Sequence, residues 1–420
     1  MLKNPLPKEK LVAEFILFAF LTRILLQNFK RTKELKIIKK KHLFPFAIFA
    51  ILALFGDFIA NEKPLYCIIK GETCFPAFRQ WAVDLGVLDY KNYGVTDWLQ
   101  YADYEQVVKT IVPYSPTSQD KKNTNFVSPF ASQNISSLHY RHWLGTDLLG
   151  QDVLSGIVGA CRVAFLIGIG ATLLAFVLGL FFGTLAGFWH DDKISLSWQS
   201  VFLLVASLFY TFFIASQLAV NQVIALLFFT FISLFFLVKK IEQYTRKSFS
   251  IKIKLDTYIS RLIETKRSIP NLIFIFVLLA MFTKCTVWHL ILILGGLSWI
   301  SFSLLIRAEI LKIKNLEYIT AAQSLGFSNL KILFQHVLPN AILPAVILAA
   351  SMVANIVLAE SSLSFLGLGL PIEQITWGSM LHQAENNISA WWLAFFPGLC
   401  IFILVVICNQ LAEKLRKKLS

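Results

Sequence analysis

Long apolar runs separated by basic segments constrain this chain more than any other feature. A helix needs about 20 predominantly apolar residues to cross the hydrocarbon core of a bilayer. Eight runs of about that length occur, at 43–60, 163–188, 198–216, 222–238, 269–284, 287–306, 341–359 and 391–411. Charged residues make up 15% of the chain, against about 25% in soluble domains. The sequence therefore predicts an all-α polytopic membrane protein and argues against a soluble enzyme.

The basic residues indicate how these spans are oriented. Lys and Arg cluster at 1–42, 239–267 and 414–418, whereas 361–390 contains neither. Short loops rich in Lys and Arg stay in the cytoplasm. Eight crossings from a cytoplasmic N-terminus place all three basic segments inside and put 61–150 and 361–390 outside. This arrangement explains the net charge of +14 without nucleic-acid binding, because the basic residues lie between apolar runs rather than on a polar domain.

The N-terminal segment 1–42 is expected to lie on the cytoplasmic side. Its apolar stretch 11–27 contains Glu14 and Arg23, which favours a helix lying in the membrane interface over a ninth span. No short apolar run is followed there by a small-residue cleavage site, so we expect no removable signal peptide.

The external segment 61–150 is long enough for a small ordered domain. Cys67 and Cys74 flank a turn signal at Lys70-Gly71, and this pattern predicts a β-hairpin. On an oxidising face the two cysteines would form a disulfide. The sequence leaves open whether they are bonded or remain two free thiols.

Two groups of residues resemble metal ligands without making a convincing site. His139 and His142 form an HxxH pair, and such a pair without a third ligand is more often a surface feature than a metal site. The cluster at 190–192 (His-Asp-Asp) follows an apolar run and is interpreted as a solvated helix terminus. We therefore predict no metal site and no cofactor.

The most informative segment is the cytoplasmic stretch 308–340 between two spans. Its pattern predicts two short helices separated by a break at Gly326. Ser328 or Asn329 would cap the second helix, and Pro339 would suit a helix boundary before the next span.

The residues around this break have a recognisable spacing. Ala321-Ala322 is followed after three residues by Gly326, and Leu338-Pro339 follows further along. This spacing resembles the coupling loop of ABC importer permeases, the segment that docks on the ATPase. Small side chains would let such a helix seat deeply in a partner's groove, although Ala is also the best helix former.

Further motifs narrow the resemblance. Residues 142–155 read HWLGTDLLGQDVLS, and 360–371 read ESSLSFLGLGLP, followed by WGSM at 377–380 and WLAFFPG at 392–398. With the coupling-loop pattern, they are similar to the C-type permease subunit of the oligopeptide/dipeptide/nickel family. The sequence FGDFIANEKP at 55–64 and the long external insert resemble the subgroup tied to uptake of peptides and peptide antibiotics.

The resemblance implies both an architecture and a set of partners. The fold would be a type I permease core of six spans plus an inserted two-span hairpin, about eight spans in all. The implied partners are a second, B-type permease, two ABC ATPase subunits, an extracytoplasmic substrate-binding protein and membrane lipid, with no cofactor and no nucleic acid. The coupling loop would comprise Glu317, Thr320, Ala321, Ala322, Gly326, Leu338 and Pro339. Thr320 stands where the family has Glu, and Glu317, one turn earlier, would partly replace that charge.

The expected organisation divides the chain into six segments. In chain order these are a basic, cytoplasmic or interfacial N-terminal segment at 1–42, the first span at 43–60, the extracytoplasmic insert domain at 61–150, the second span region at 151–192, the inserted apolar hairpin with a basic cytoplasmic segment at 193–254, and the remaining permease core at 255–420.

These observations predict a transport subunit without catalytic activity, in the inner membrane of a bacterium. The chain has no Gly-x4-Gly-Lys-Ser/Thr phosphate loop, so ATP would be hydrolysed on a partner. It also lacks Gly-x-Ser-x-Gly and His-Glu-x-x-His, the motifs of a membrane hydrolase. The predicted function is the permease of an ATP-driven importer of peptides or oligopeptides. The alternatives are a secondary transporter or channel, or a membrane scaffold or sensor. Ion-driven carriers commonly place an ionisable residue near mid-membrane. Asp57, Arg307 and Glu360 lie near span ends instead, which counts against an ion-driven carrier.

Overall fold

The computed structural model of this protein describes residues 40–69, 71–84, 98, 104–189, 195–197, 250–252, 255–282, 284–371 and 374–419. The predicted interfacial helix at 11–27 and the apolar runs 198–216 and 222–238 lie outside the described residues. The chain divides into two compact units. The first comprises Met1–Gly179, Pro270–Phe302 and Pro339–Ser420, and the second comprises Leu180–Ile269 and Ser303–Leu338.

Helices make up most of the described chain. In chain order they are α1 (Lys40–Ile59), α2 (Pro76–Asp84), α3 (Val153–Thr184), α4 (Leu255–Arg267), α5 (Asn271–Ala280), α6 (Val287–Lys314), α7 (Glu317–Ser324), α8 (Asn329–Ile332), α9 (Leu338–Phe365), α10 (Trp377–Asn386) and α11 (Trp391–Leu419). Wider π-helical turns follow α3 at Leu185–Trp189 and α8 at Leu333–Val337. The strands are β1 (Tyr66–Ile69), β2 (Glu72–Cys74), β3 (Gln106–Val108), β4 (Ser195–Ser197) and β5 (Ser250–Lys252).

Four of the described helices are long and apolar enough to cross a membrane. They are Val153–Trp189, Val287–Lys314, Asn329–Phe365 and Trp391–Lys417. Two shorter apolar helices, Phe46–Ile59 and Asn271–Ala280, lie on two further predicted runs. The run at 269–284 forms a helix of only 10 residues. Pro270 stands at its N-cap, and a proline disfavours the helical conformation in the residue before it.

Small residues bring the helices of the first unit into close contact. Ala160 and Ala164 of α3 lie in a buried cluster with Val357 of α9 and Leu404 of α11. A Cβ added to Gly168 would lie 2.9 Å from a methyl carbon of Val357. Because small side chains let helix backbones approach closely, these positions set the spacing of the helices.

Four of the motif segments that the sequence analysis identified come together in this unit. The indole Nε1 of Trp392 donates to the carbonyl of Thr146 at 3.0 Å. Trp377 lies in the same buried cluster as α3 and α9. A Cβ added to Gly378 would lie 2.3 Å from the carbonyl oxygen of Ser361. The motifs therefore form one packed region, although they lie far apart in the sequence.

The external segment contains the predicted hairpin. Strands β1 and β2 pair antiparallel with Cys67 opposite Cys74, and Gly71 in the turn has φ +74°. Strand β3 pairs with the other edge of β1, which gives the order β2-β1-β3. Both cysteines are buried and present as thiols.

The position of His142 differs from the expectation. We expected a surface residue, but its side chain is fully buried, with 0% exposed. Its ring stacks on Tyr114 with the centroids 4.3 Å apart. The expectation was wrong because the HxxH spacing carries no information about residues elsewhere in the chain that cover the ring.

The second unit is organised around the end of α3 and the end of α6. Gly179, Gly183 and Gly187 recur every four residues, a spacing that favours close helix packing. A Cβ added to Gly183 would lie 2.7 Å from the carbonyl oxygen of Ser303, and one added to Gly187 would lie 3.0 Å from Cβ of Ile310. These two glycines therefore pack against α6 of the same chain. In the same unit, β4 and β5 pair antiparallel.

Candidate functional site

The candidate site is the segment between the α6 and α9 spans, residues 316–339, which we name the coupling segment. Helix α6 ends at Lys314, and α7 begins two residues later at Glu317. The backbone of Leu316 is extended, with φ −81° and ψ 144°, and this redirects the chain between the two helices. Glu317 lies in the first turn of α7, where a negative charge is favoured by the helix dipole.

Helix α7 has one face against its own chain and one face exposed. Ile319 and Ala322 are 1% and 7% exposed, and their spacing of three places them on the same side of the helix. Thr320 and Ala321 are exposed. The two adjacent alanines, which the sequence analysis treated alike, therefore have different environments.

The helix ends in a glycine-dependent cap. The N–H of Phe327 donates to the carbonyl of Ala322 at 3.2 Å, and the N–H of Gly326 donates to the carbonyl of Gln323 at 2.9 Å. These two bonds define a Schellman motif, in which the residue at the Gly326 position adopts a left-handed conformation. Gly326 has φ +78°, so the break between the two short helices lies at the predicted residue.

The second short helix begins directly after this cap. Ser328 is its N-cap, and the side-chain Oγ accepts from the N–H of Lys331 at 3.4 Å. Lys331 Nζ lies 4.1 Å from the centroid of the Phe327 ring, which in turn stacks on His336 at 6.2 Å. A cation over an aromatic face is attracted by the ring quadrupole, so these contacts hold Phe327 over the turn.

The coupling segment exposes several large apolar side chains. Its exposed large side chains are Leu316, Tyr318, Leu325, Phe327, Leu330 and Phe334. Leu325, beside Gly326, is 75% exposed. A concentration of exposed apolar side chains in one short segment is typical of a surface that binds another protein.

The prediction that Pro339 marks a helix boundary is wrong in one respect. The helix is continuous from Asn329 to Phe365, and Pro339 lies in the first turn of α9, just after the π-helical turn Leu333–Val337. Local π-helical adjustments are a common way for a helix to accommodate a proline, which has no N–H to donate. Leu338 and Pro339 therefore continue the coupling segment into the span without a break.

The last turns of α6 are held by contacts within the second unit. Arg307 donates from Nε and NH2 to the two carboxylate oxygens of Asp256, each at 2.6 Å. Lys314 Nζ donates to the carbonyl of Phe188 at 3.2 Å. Sequence reasoning noticed Arg307 only as a residue near a span end and did not identify Asp256. Among the described residues, no group of three or more His, Cys, Asp or Glu side chains could hold a metal ion.

Comparison with known proteins shows that the chain is similar to transport proteins of the inner membrane. Residues 244–420, which contain the whole coupling segment, match the family described as "Binding-protein-dependent transport system inner membrane component". The chain is also 27% identical over 381 residues to the inner membrane ABC transporter permease protein YejE of Escherichia coli strain K12, covering 89% of this chain and 90% of that protein. Residues 244–420 therefore form a permease domain of the kind that these transport systems contain.

Other relatives are also named as permease proteins of transport systems. The permease is 25% identical to the peptidoglycan transport system permease protein YejE of Agrobacterium fabrum strain C58, covering 87% of this chain and 85% of that protein. It is 23% identical to the oligopeptide transport system permease protein OppC of Bacillus subtilis strain 168, covering 66% of this chain and 71% of that protein. The similarity to inner membrane permeases and the four helices long and apolar enough to cross a membrane support a multi-pass protein of the inner membrane.

Proposed function

We propose that this permease forms the translocation path of an ATP-driven importer of peptides or oligopeptides, together with a second, B-type permease. In this proposal two ABC ATPase subunits bind the coupling segment, and an extracytoplasmic binding protein delivers the substrate. The permease itself is not catalytic, because ATP is hydrolysed on the ATPase subunits. The proposal rests on one observation above all: an exposed helix–turn–helix between two spans, with several exposed large apolar side chains and a Schellman cap at Gly326.

Peptides are the proposed substrate class because several relatives carry that word in their names. They include a putative peptide permease of Brucella suis biovar 1 and the dipeptide transport system permease protein DppC of Bacillus subtilis. The external segment 61–150 and the packed motifs of the first unit would then face the binding protein.

The proposed topology has eight spans. Six form the permease core, and an apolar hairpin within 193–254 adds two, so that 1–42, 239–267 and the C-terminal tail are cytoplasmic while 61–150 is an extracytoplasmic insert domain. The second span region would be 151–192, and the remaining core 255–420. The distribution of Lys and Arg in the sequence supports this arrangement.

The proposed docking contact uses the exposed face of α7. Thr320 and Ala321 would contact the ATPase groove, and Glu317 would supply the charge that the family places at the Thr320 position. Ala322 would instead fix α7 to its own chain, since it is only 7% exposed. Leu338 and Pro339 would transmit movement of the segment to α9, because the helix continues through them.

Substitutions at Ala321 test the proposal. Ala321→Trp adds a large side chain to an exposed position, so the permease should reach the membrane in normal amount but lose the ATPase subunits on purification and lose peptide uptake. Ala321→Ser keeps the small size and is the matched control, expected to retain both. Retention of the ATPases and of uptake by the Trp variant would contradict docking at α7. Uptake that persists in cells lacking the ATPases would instead favour a secondary transporter.

A further inference from the structure

A bidentate ion pair joins α4 to the last turns of α6. Arg307 presents Nε and NH2 to the two oxygens of Asp256, each at 2.6 Å. Asp256 is 6% exposed. Two parallel, charge-assisted hydrogen bonds fix both the distance and the relative angle of the groups that they join.

The pair lies immediately before the coupling segment. From Arg307, α6 continues for two turns to Lys314, and α7 begins at Glu317. Over the same two turns, Ile310 packs closely on Gly187, whose added Cβ would lie 3.0 Å from Cβ of Ile310. These contacts belong to the second unit, which also contains α7 and α8.

The pair is better suited to fixing orientation than to stabilising the fold. Removing two charges from water costs free energy that largely offsets their attraction, so a buried ion pair is weak evidence for stability. The planar guanidinium fork matches a carboxylate in one geometry, whereas the ammonium of lysine acts as a point charge. The two bonds therefore resist rotation of α6 about its own axis relative to α4.

We propose that Asp256 and Arg307 are positioning residues for energy coupling, which hold the end of α6 so that movement of α7 tilts the span. This inference rests on the proposed docking of the ATPases at the coupling segment. It also gives α4, the first described helix after the inserted segment 193–254, a part in coupling. Without the pair, α6 can rotate when the ATPases move α7, and part of that movement is lost.

The chain contains a matched pair outside the second unit. Arg162 of α3 donates from NH2 to Asp57 Oδ2 of α1 at 2.5 Å, and both residues belong to the first unit. The residue types are the same, and each pair joins two helices. Of these two pairs, only Asp256–Arg307 lies in the unit that contains the coupling segment.

The test uses the complete transporter, with its ATPases and binding protein, reconstituted in lipid vesicles. The measured quantity is the number of labelled peptides taken up per ATP hydrolysed, together with the amount of ATPase bound. Arg307→Lys and Asp256→Asn should keep the ATPases bound and lower this ratio about tenfold, which lies within the usual range of coupling between two sites. The exchanged double variant, Asp256→Arg with Arg307→Asp, should recover part of the ratio. Arg162→Lys and Asp57→Asn should leave the ratio unchanged.

The outcomes separate this inference from the function on which it rests. An unchanged ratio in both single variants, with the ATPases bound as in the wild type, would overturn the positioning role and leave ATPase docking intact. An equal fall in the Asp57 and Arg162 variants would overturn it too, because the effect would then be general to interhelical pairs. Failure of the wild-type permease to bind any ATPase would overturn the proposed function itself.

Discussion

The imidazole of His142 is held against the carboxylate of Asp152, with Nδ1 2.9 Å from Oδ1. On the other side of the ring, Nε2 lies 3.3 Å from Oδ2 of Asp120. The ring face stacks on Tyr114. Both ring nitrogens thus face carboxylate oxygens, and the ring links Asp120 to Asp152.

Acid should therefore weaken the external segment. Burial raises the pKa of Asp120, but hydrogen bonds from Asn123, from the N–H of Lys122 and from His142 outweigh it, and the pKa is lowered. A carboxyl whose pKa is lowered on folding stabilises the fold above its unfolded pKa, and this contribution is lost as the pH falls through the folded pKa. Proteolysis of the detergent-solubilised permease should become faster within 104–152 only as the pH falls below the ordinary carboxyl pKa of 3.8, before the spans are cut.

Removal of the His142 ring should have a larger effect at neutral pH. His142→Ala takes a hydrogen-bond partner from each of two carboxylates, and leaving a buried polar group without its partner costs about 1–3 kcal/mol. Cleavage of the external segment should then be fast at pH 7 and depend less on pH. His139→Ala is the matched control, because His139 is exposed. Equal protection of both variants from proteolysis would contradict a structural role for the contacts of His142 with Asp120 and Asp152.

The residues that the sequence predicted correctly are those whose environment is set by near neighbours. Gly326 was predicted from the helix signals on either side of it, and a Schellman cap depends only on residues within one turn. Four of the apolar runs form helices long and apolar enough to span, because hydropathy over a window of about 20 residues decides whether a helix can span. The run at 269–284 was overestimated, because its helix begins only after Pro270 and already ends at Ala280.

The residues that the sequence missed depend on partners far along the chain. Asp256 and Arg307 are 51 residues apart, and His142 contacts carboxylates 10 and 22 residues away. No periodicity links such positions. The different roles of Ala321 and Ala322 were also invisible, because an alanine has the same helix propensity on either face.

Cys67 and Cys74 are predicted to form a disulfide when the external face is oxidising. The register of the hairpin places them opposite each other, and a loop this short should add at most about 3 kcal/mol. Burial and, to a smaller extent, the neighbouring Cys74 raise the pKa of the Cys67 thiol to about 11. Reaction of the folded, reduced protein with maleimide should therefore be slow. Mass spectrometry of non-reduced peptides from native membranes should detect the linked pair. Two free thiols in that sample would refute the disulfide.

The proposed topology predicts opposite sides for two labelled positions. Lys121→Cys lies on the exposed surface of the external segment, and Ser248→Cys lies in the basic segment 239–267. A membrane-impermeant maleimide should label the first in intact spheroplasts and the second only after the membrane is opened. The parent permease, with its six native cysteines, provides the background. Labelling of both positions from one side would exclude eight spans in this order.

Gly326→Val should separate membrane insertion from coupling. An added Cβ at this position meets no atom within 4 Å, so the cost comes from the backbone alone. A left-handed φ costs an L-residue about 1–2 kcal/mol, and the cost is highest for a β-branched residue such as Val. No apolar run is changed, so we expect normal abundance in the membrane, loss of the Schellman cap, loss of ATPase co-purification and loss of peptide uptake.

Gly326→Asn is the control that isolates the backbone effect, because Asn tolerates the left-handed conformation far better than Val while also adding a side chain. The Asn variant should keep most ATPase binding and uptake, and the Val variant should keep neither. Equal loss in both would mean that the ATPase requires empty space at this turn rather than a particular backbone conformation. Full uptake by the Val variant with the ATPases still bound would show that the segment after α6 is not the coupling element, since its first helix would then be misdirected without consequence.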